Sequence, residues 1–454
     1  MFAVARTAVV LFTRDLRVHD HPALATACRE ADRVVPLFVF DPGILGSRYA
    51  APNRVANLLA CLRDLRSALG DRGGGLVVRR GEVADEVATL VEEVGADEVH
   101  LSGDVSAYAR RRVGALRGWL DVPVQVHPGV TVVDPEAIRS SSGGAFRVFT
   151  PYWRRWSQAE HRPPEDAPSR VPTPSTVATG RLPSLEDLVD GDVAPELPVC
   201  GEVAAREQME AWFEHGIADY DEGRDRLPDE ATSRFSHHLH LGALSAGEVV
   251  ARLDRRRRGH ETFLQELCWR DYNHQLLHAY PDLWREDLRG QGDDWRDDDD
   301  AFDAWREGRT GYPAVDAGMR QLLREGWMHN RARMLTASFL TKHLRIDWRR
   351  GAWHFMDHLV DGDLANNFAQ WQWTAGTGTD SRPNRMFNPV TQSQRFDPDG
   401  VYIRRYVQEL ADVDGATVHT PWEAAGTLLD AVDYPPPLVD HAEARERFLA
   451  DRGR

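Results

Sequence analysis

The alternation of short apolar runs with amphipathic segments over residues 7–130 constrains the fold more than any other feature. The apolar runs predict strands at 8–12, 34–40, 76–79, 98–102 and 122–127. Helical periodicity lies between these runs, over 54–69 and 83–94. Strands that alternate with helices are typical of a doubly wound, mostly parallel sheet. The pattern therefore predicts an α/β domain over residues 1–130, built on a five-stranded sheet.

The rest of the chain changes character twice. Residues 131–201 are rich in Pro, Ser, Asp and Gly and carry little periodicity, which predicts a long surface linker. Over residues 202–454 the apolar pattern is helical, with segments at 206–213, 246–258, 261–278, 312–325, 330–344 and 352–359. We therefore expect a second, larger domain that is all-α.

Charge narrows the classes of partner. The formal net charge is −16, so the whole molecule is not a generic polyanion binder. A locally basic surface is nevertheless expected in the second domain, because residues 319–350 carry eight basic side chains and only two acidic ones. The basic residues are Arg320, Arg324, Arg331, Arg333, Lys342, Arg345, Arg349 and Arg350, and the acidic residues are Glu325 and Asp347. Lys342 is the only lysine among the 55 basic residues.

Other features exclude several kinds of site. The four cysteines are far apart and form no CxxC pair, so we expect no zinc or iron–sulfur site and a reducing compartment. The first strand is not followed by GxGxxG, the dinucleotide-binding fingerprint. The acidic run at 297–300 lacks the alternating spacing of calcium ligands and predicts a solvated loop or a helix start. No apolar stretch is long enough to span a membrane.

The segment 361–380, DGDLANNFAQWQWTAGTGTD, is dense in polar and aromatic side chains. Asp361 and Asp363 are bordered by apolar residues, where carboxylates need donors or cations. Trp371 and Trp373 are two residues apart and cannot share a helix face. We expect one of them in the core and the other at a cleft, where its ring offers a stacking surface.

Two groups in the second domain have two interpretations each. Tyr220 and the run 232–236 (TSRFS) suit a phosphate site, or else a helix N-cap with a solvated arginine. Phe263, Glu266 and Arg270 share one helix face beside Trp269. That face lines a polar pocket, or else it carries a surface salt bridge next to a core tryptophan.

The sequence also leaves the roles of a third group of residues and of the tryptophans undecided. Asn330, Arg333 and Met334 have helical spacing next to Arg331, which predicts a helix that faces a nucleic-acid ligand or simply a basic helix in solvent. The chain has 14 tryptophans, most of which are expected to be packing residues.

Six long strings resemble the photolyase/cryptochrome family over nearly the whole chain, and the resemblance is greatest to the bacterial class I photolyases that act on cyclobutane pyrimidine dimers. The strings are FTRDLRVHDHPAL, TSRFSHHLHLGALS, FLQELCWRDY, WREGRTGYPAVDAGMRQLLREGWMHNRARM, DGDLANNFAQWQWTAGTGTD and RMFNPVTQSQRFDPDGVYIRRYVQEL. They depart from the family pattern at Phe235, at His237 and at Phe368-Ala369-Gln370, where two glycines are frequent.

The resemblance implies non-covalently bound FAD in the helical domain. It places the cofactor phosphates at Tyr220, Thr232, Ser233, Arg234 and Ser236. It places the remaining cofactor contacts at Phe263, Trp269, Arg270, Arg333, Asp361, Asp363 and Asn367. Within this second set it implies an ion pair between Arg333 and Asp361, and it places Asn367 opposite flavin N5.

The resemblance also implies a DNA substrate whose damaged bases are flipped out of the duplex. Trp269 and Trp373 would flank the dimer, and Glu266, Asn330 and Met334 would contact it. Arg270 and Arg331 would lie on the DNA-binding face. Electrons would reach the flavin through a tryptophan relay, namely Trp371, Trp348 and Trp295.

The function implied by the resemblance is light-driven repair by electron transfer from excited reduced FAD to the dimer. The alternatives are a cryptochrome photoreceptor without repair activity and a 6-4 photolyase, which has histidines in place of Asn330 and Met334. An FAD oxidoreductase is disfavoured, because the Rossmann fingerprint is missing. The short stretch after the HTPW motif also favours repair over signalling.

Three further expectations follow from the resemblance. Asp104, within GDVSAY at 103–108, would contact an antenna chromophore, with 8-hydroxy-deazaflavin favoured over methenyltetrahydrofolate. The partner is UV-damaged DNA that contains cyclobutane pyrimidine dimers, and no membrane is involved. We expect a cytoplasmic bacterial monomer that associates with the nucleoid when it is bound to DNA.

Overall fold

The computed structural model describes residues 5–140, 143–424 and 433–453. The chain forms two compact units. The sheet unit, as we call it, comprises Met1–Asp192, Val199–Ala218 and Ser233–Pro281. The helical unit comprises Val193–Pro198, Asp219–Thr232 and Asp282–Arg454. The predicted domain limits of 1–130, 131–201 and 202–454 stay a prediction.

The sheet unit contains five parallel strands in the order β3-β2-β1-β4-β5. Its first elements are β1 Thr7–Phe12, α1 Pro22–Glu30, β2 Arg33–Phe40, α2 Pro42–Leu45, α3 Pro52–Gly70, β3 Val77–Arg80, α4 Val83–Val94, β4 Glu98–Ser102, α5 Ala107–Trp119 and β5 Val124–His127. The predicted doubly wound sheet is therefore confirmed, with strand bounds within two residues of those expected.

Every residue of β1 and β4 is buried. Val9 pairs with Val35 of β2 and with Val99 of β4, and all three are 0% exposed. Burial on both faces of a strand is typical of a parallel sheet that is covered by helices on each side. This is why the strands appear in the sequence as continuous apolar runs and not as alternating patterns.

Further helices of the sheet unit are α6 Phe149–Trp156, α7 Glu202–Ala211, α9 Ser236–Leu241, α10 Ala246–Ala251 and α11 Arg258–Ala279. The predicted helix at 246–258 is too long, because the chain turns where Arg257 N donates to Asp254 O at 2.9 Å. Helix α6 lies within the predicted linker and buries Tyr152 and Trp156 completely.

The helical unit contains α8 Tyr220–Gly223, α12 Asp299–Arg306, α13 Pro313–Glu325, α14 Asn330–Ser338, α15 Trp348–His358, α16 Leu364–Ala375, α17 Pro389–Phe396, α18 Val401–Tyr406 and α19 His441–Asp451. The predicted helix at 330–344 is α14 followed by a π-helical turn over Phe339–His343. The all-α character expected of this part of the chain is confirmed.

The acidic run begins a helix, which is one of its two predicted states. Asp298 caps α12, and its Oδ1 accepts from Ala301 N at 3.0 Å. Within the described ranges no group of three or more His, Cys, Asp or Glu side chains is arranged to hold a metal ion. None of the described helices has the length and apolar character needed to cross a bilayer.

Candidate functional site

An ion pair fixes the first carboxylate of the segment 361–380. Asp361 is 7% exposed and accepts from Arg333 Nη1 at 3.1 Å and from Arg333 Nη2 at 2.8 Å. Arg333 Nε donates in turn to Met328 O at 2.8 Å. A bidentate guanidinium holds a carboxylate in one orientation and offsets the cost of its burial. The ion pair implied by the resemblance is therefore present.

The second carboxylate begins α16. Asp363 caps the helix, and its Oδ1 accepts from Asn366 N at 2.8 Å and from Asn366 Nδ2 at 2.7 Å. One turn further on, Asn367 Nδ2 donates to Ala352 O of α15 at 2.9 Å. An Asp cap satisfies otherwise unpaired helix N–H groups and fixes the start of the helix. The amide of Asn367 is held in one orientation by the same helix pair.

Trp371 and Trp373 lie in different environments on α16. Trp371 is 3% exposed and packs against Phe355 and Trp305, with ring centroids 4.9 and 6.1 Å away. Trp373 is partly exposed, and the guanidinium of Arg385 lies 4.8 Å from its ring centroid. The expected division, with one ring in the core and the other at the surface, is therefore confirmed.

A cleft of about 410 Å³ lies in the helical unit, and its lining includes Arg385, the residue whose guanidinium lies against the Trp373 ring. Its lining includes three arginines, one carboxylate and two amides, namely Arg331, Arg385, Arg395, Asp225, Asn388 and Gln392. Arg331 Nη2 pairs with Asp225 Oδ1 at 2.7 Å. Three guanidiniums around one concavity provide the forked donors that suit phosphate oxygens.

Arg385 and Arg395 were not singled out from the sequence. Both lie in the string RMFNPVTQSQR, on either side of the start of α17. The sequence signal that could have identified them is the presence of one arginine before and one after the Asn-Pro pair that begins this helix. The locally basic stretch at 319–350 was less informative, because Lys342 and the side chain of Arg345 are each 2% exposed.

Asn330 and Met334 lie one turn apart at the start of α14. Asn330 is exposed, Met334 is partly buried, and Asn330 Nδ2 lies 4.0 Å from Met334 Sδ. His329 caps this helix through its Nδ1, which accepts from Arg331 N at 3.1 Å. The cap therefore fixes the backbone of both Asn330 and Arg331.

The predicted phosphate residues belong to both units. Tyr220 and Thr232 are in the helical unit, and Ser233, Arg234 and Ser236 are in the sheet unit. Arg234 has a φ of 50°, an uncommon conformation for a residue with a side chain. Gln208 Nε2 donates to Ser233 O at 2.5 Å, which fixes the backbone just before this residue.

Helix α11 holds the other predicted residues of the sheet unit. Phe263 is 4% exposed and packs against Trp212 and against Phe235, one of the departures from the family pattern. Trp269 is partly exposed and stacks on Phe149, with centroids 3.7 Å apart and planes at 4°. One face of its indole is therefore covered by protein.

Arg270 and Glu266 follow on the same helix, and both are partly buried. Arg270 Nη1 donates to Val130 O at 2.5 Å and lies 3.6 Å from Asp271 Oδ1. Asp271 is fully buried, and burial raises its pKa to about 6 against the opposing effect of Arg270. Arg270 is thus anchored within the sheet unit.

The predicted relay tryptophans all lie in the helical unit. Trp348 is 0% exposed, and its Nε1 donates to Asp287 Oδ1 at 2.9 Å. Trp295 is partly exposed, with Arg345 5.5 Å from its ring centroid. Phe368, where the sequence departs from the family pattern, packs against Trp348 at 6.3 Å and against Trp353 at 5.2 Å. The bulky residue thus fills the core between two tryptophans.

Asp104 lies just after β4, at the carboxyl edge of the sheet. Its side chain is 5% exposed, and its Oδ2 lies 3.3 Å from Arg14 Nη1. Burial disfavours the charged carboxylate, but Arg14 and the Ser106 N–H outweigh burial, so the pKa of Asp104 is lowered. Ligands of parallel α/β sheets bind at this edge.

Two family models match most of this chain. Residues 8–173 match the DNA photolyase family model, and residues 263–453 match the FAD binding domain of DNA photolyase. A deoxyribodipyrimidine photo-lyase of Streptomyces griseus is 50% identical over 98% of this chain and 99% of its own length.

Two solved structures are similar over nearly the full length. A bacterial class III photolyase from Agrobacterium tumefaciens has a TM-score of 0.91 and 34% identity, covering 100% of this chain and 98% of its own. A cryptochrome from Synechocystis has a TM-score of 0.90 and 29% identity, covering 99% of this chain and 100% of its own. The chain belongs to the photolyase/cryptochrome family.

The residues of this chain fit the cofactor of that family. In the sheet unit, hydroxyls and a guanidinium at 233–236 provide donors suited to a pyrophosphate. In the helical unit, a fixed carboxylate pair and the amide of Asn367 provide the polar groups that a flavin ring and sugar require. The donor set of each unit therefore agrees with FAD binding.

Proposed function

We propose that this protein is a deoxyribodipyrimidine photo-lyase that repairs cyclobutane pyrimidine dimers in DNA under blue light. The observation that carries the proposal is the cleft with three arginines, one of which, Arg385, lies against the partly exposed ring of Trp373. Phosphate contacts position a nucleic acid, and an exposed indole stacks on an unpaired base. The 50% identity to a photo-lyase of Streptomyces griseus supports the same reaction class.

The cofactor is proposed to be held by Tyr220, Thr232, Ser233, Arg234, Ser236, Phe263, Arg270, Arg333, Asp361, Asp363 and Asn367. When bound and reduced, FAD supplies on excitation the electron that splits the dimer. Arg333 holds the Asp361 carboxylate in one orientation through two hydrogen bonds. Asn367 presents its amide from the fixed start of α16.

Lesion recognition is assigned to Trp269 and Trp373. Phe149 covers one face of Trp269, which leaves the other face for a base. Stacking contributes roughly 1–3 kcal/mol per base, which offsets much of the cost of flipping a damaged base. Glu266, Asn330 and Met334 would contact the dimer, and Asn330 is exposed at a capped helix start.

Two finer assignments accompany the proposal. Trp371, Trp348 and Trp295 would pass electrons from the surface to the cofactor. Asp104 would contact an antenna chromophore, of which 8-hydroxy-deazaflavin is our choice, because a polar group fixed at the carboxyl edge of the sheet suits a ring N–H.

We further propose that the chain acts as a monomer in the bacterial cytoplasm and belongs to class I.

A cryptochrome photoreceptor is the second candidate, favoured by the structural similarity to the Synechocystis cryptochrome. One assay separates the two functions. Purified protein with reduced FAD is illuminated with blue light on DNA that contains either a cyclobutane thymine dimer or a 6-4 photoproduct, with dark samples as controls. Restored thymine from the first substrate alone is expected. No restoration would overturn the proposal, and restoration from the second substrate alone would indicate a 6-4 photolyase.

A further inference from the structure

Two basic side chains, those of Lys342 and Arg452, hold the short segment Pro383 to Arg385 in the connection after α16. Lys342 Nζ donates to Pro383 O at 3.1 Å and to Arg385 O at 2.6 Å. Arg452 Nη1 donates to Pro383 O at 3.3 Å and to Asn384 Oδ1 at 3.2 Å. Three consecutive residues of the connection between α16 and α17 are therefore bonded to basic side chains. Bonds from a charged donor such as the Arg452 guanidinium are roughly twice as strong as those between neutral groups.

Both basic side chains are themselves fixed by buried contacts. Lys342 is 2% exposed, and the side chains of Arg452 and Asp293 are each 2% exposed. Arg452 donates to Asp293 through Nε at 2.9 Å and through Nη2 at 2.6 Å. The ring of Phe448, on α19, lies 5.7 Å from Lys342 Nζ and 4.9 Å from the Arg452 guanidinium. Because a buried basic group is costly unless it is bonded, these partners stabilise both side chains in place.

We call Lys342 and Arg452 the clamp. Arg452 of the clamp also contacts the helix that carries Trp373. Arg452 Nη2 donates to Ala375 O, the last residue of α16, at 3.0 Å. Gly376 follows with a φ of +83°, and a Cβ atom there would lie 2.4 Å from Pro383 O. Only glycine tolerates both this conformation and this close approach. The end of α16 and the segment Pro383 to Arg385 are thus packed together around Arg452.

The consequence is a fixed position for Arg385. Its guanidinium lies 4.8 Å from the ring centroid of Trp373 and 5.2 Å from that of Phe387, and it lines the cleft. Its side chain is long and exposed, so its backbone must be held for the guanidinium to stay over one ring. The carbonyl of Arg385 itself is the acceptor of the shorter bond from Lys342.

We propose that Lys342 and Arg452 are positioning residues for lesion binding: they hold Pro383 to Arg385 so that Arg385 lies against Trp373 at the edge of the cleft. The proposal rests on the proposed repair function for its ligand. It assigns the only lysine of the chain and an arginine near its last residue to the recognition of damaged DNA, although neither contacts the DNA.

Binding measurements test this proposal. Lys342→Met and Arg452→Met are each expected to weaken binding of dimer-containing DNA by about tenfold. The repair rate at saturating DNA and the FAD content should stay at the wild-type values. Arg447→Met, on the exposed face of the same C-terminal helix, is the matched control and should bind like wild type. Wild-type affinity in both clamp variants would overturn the proposal.

A double-mutant cycle identifies the route of the effect. Because the clamp acts through Arg385, Lys342→Met combined with Arg385→Ala should bind dimer DNA within about twofold of Arg385→Ala alone. If the two losses multiply, Lys342 acts elsewhere and the proposal fails. Lys342→Arg, which keeps a cation, should restore part of the affinity that Lys342→Met loses.

A measurement without DNA separates this inference from the proposed function. Amide hydrogen exchange at residues 384–387 is expected to accelerate in both clamp variants and to stay unchanged in Arg447→Met. Unchanged exchange in the clamp variants would overturn the positioning role. If instead the wild-type protein fails to prefer dimer-containing DNA, the proposed function falls, while the exchange result still decides whether the clamp orders this segment.

Discussion

Trp373 differs from its neighbour Trp371 in what covers its ring. Trp371 is enclosed by Phe355 and Trp305, whereas Trp373 is partly exposed beside Arg385. We therefore predict that Trp373→Ala weakens dimer binding by about tenfold or more, since stacking contributes roughly 1–3 kcal/mol per base. FAD content should be unchanged. Fluorescence anisotropy with dimer-containing DNA and the flavin absorbance of the purified variant measure the two quantities.

Trp119→Ala is the control for this substitution. Trp119 is 64% exposed at the end of α5 in the sheet unit, so its removal also takes away a surface indole. It should change neither DNA affinity nor cofactor content. An equal loss of both quantities in Trp373→Ala would show that Trp373 supports the cofactor or the core and does not recognise the lesion.

Lys342 gives a second prediction at the scale of one residue. Burial, together with Arg452 and Arg385, lowers its pKa to about 7 against the opposing effect of Asp380 and Asp293. Because the chain has one lysine, protein labelled with ¹³C at lysine Cε should give a single resonance. That resonance should titrate near pH 7. A titration near pH 10.5, the ordinary lysine value, would contradict the buried position of the amine.

The same shift affects the stability of the protein. Between about pH 7 and pH 10.5 the amine is neutral in the folded protein but protonated in the unfolded chain. The unfolded state binds more protons there, so Lys342 makes the free energy of unfolding rise with pH in this window. Lys342→Met should remove that contribution, which denaturant unfolding at a series of pH values measures.

Helices α15 and α16 carry two of the three tryptophans of the predicted relay. Trp348 begins α15, and Trp371 lies on α16 against Gly351, where a Cβ atom would be 2.3 Å from the Trp371 ring. We predict that Trp371→Phe and Trp348→Phe slow light-driven reduction of the bound FAD by about tenfold or more, because phenylalanine is far harder to oxidise than indole. Repair after chemical reduction should be unaffected. Transient absorption measures the first quantity.

Substitution of Trp305 tests whether the electrons pass through the predicted tryptophans or through a neighbouring one. It is 0% exposed and lies 6.1 Å from Trp371, yet it is outside the predicted relay. Trp305→Phe removes a buried indole of the same cluster, so it controls for lost packing. Photoreduction should stay at the wild-type rate in this variant. A slower rate there with a normal rate in Trp348→Phe would place the relay through Trp305 instead.

The elements differ in how far the sequence predicts them. The buried strands are predictable because both faces are apolar, and the start of α16 is predictable because the Asp363 cap is a local signal. The end of α10 is not predictable from periodicity, since a turn at Asp254 ends it. The role of Phe368 is equally hidden, because it depends on contacts with Trp348 and Trp353 from another helix.

Arg385 shows the same limit within the site. Its place over Trp373 depends on Lys342 and Arg452, which are 43 and 67 residues away in the sequence by their numbering. No local pattern encodes such a contact. The ion pair of Arg333 with Asp361, by contrast, was available from the family resemblance, because both residues lie in long matching strings.

At the scale of the whole molecule, the net charge of −16 opposes DNA binding, whereas the arginine-lined cleft favours it. Many arginines are paired with carboxylates within the protein, as Arg331 is with Asp225 and Arg350 with Asp299. DNA phosphates must therefore compete with these carboxylates for the same guanidiniums. Because this competition weakens phosphate binding, a lesion that also offers bases to stack on is favoured over an undamaged duplex.

Histidines with lowered pKa values make the stability of the folded protein depend on pH in acid. The pKa of His127 is lowered to about 4 by burial and by His100, whose Nδ1 is 2.9 Å from His127 Nε2. Burial likewise lowers the pKa of His238 to about 2 and that of His343 to about 3. These imidazoles are neutral in the folded protein and protonated in the unfolded chain below about pH 6.5. Their contribution to stability is therefore present above pH 6.5 and lost as the pH falls towards 4.

We accordingly predict that the free energy of unfolding falls between pH 6.5 and pH 4 and that His127→Gln, which cannot be protonated, reduces the slope. Urea unfolding at several pH values measures this slope. His215→Gln is the matched control, because the side chain of His215 is 73% exposed and should leave the slope unchanged. An identical slope in His127→Gln and wild type would mean that the His100–His127 pair accepts its proton without cost, which would contradict the lowered pKa.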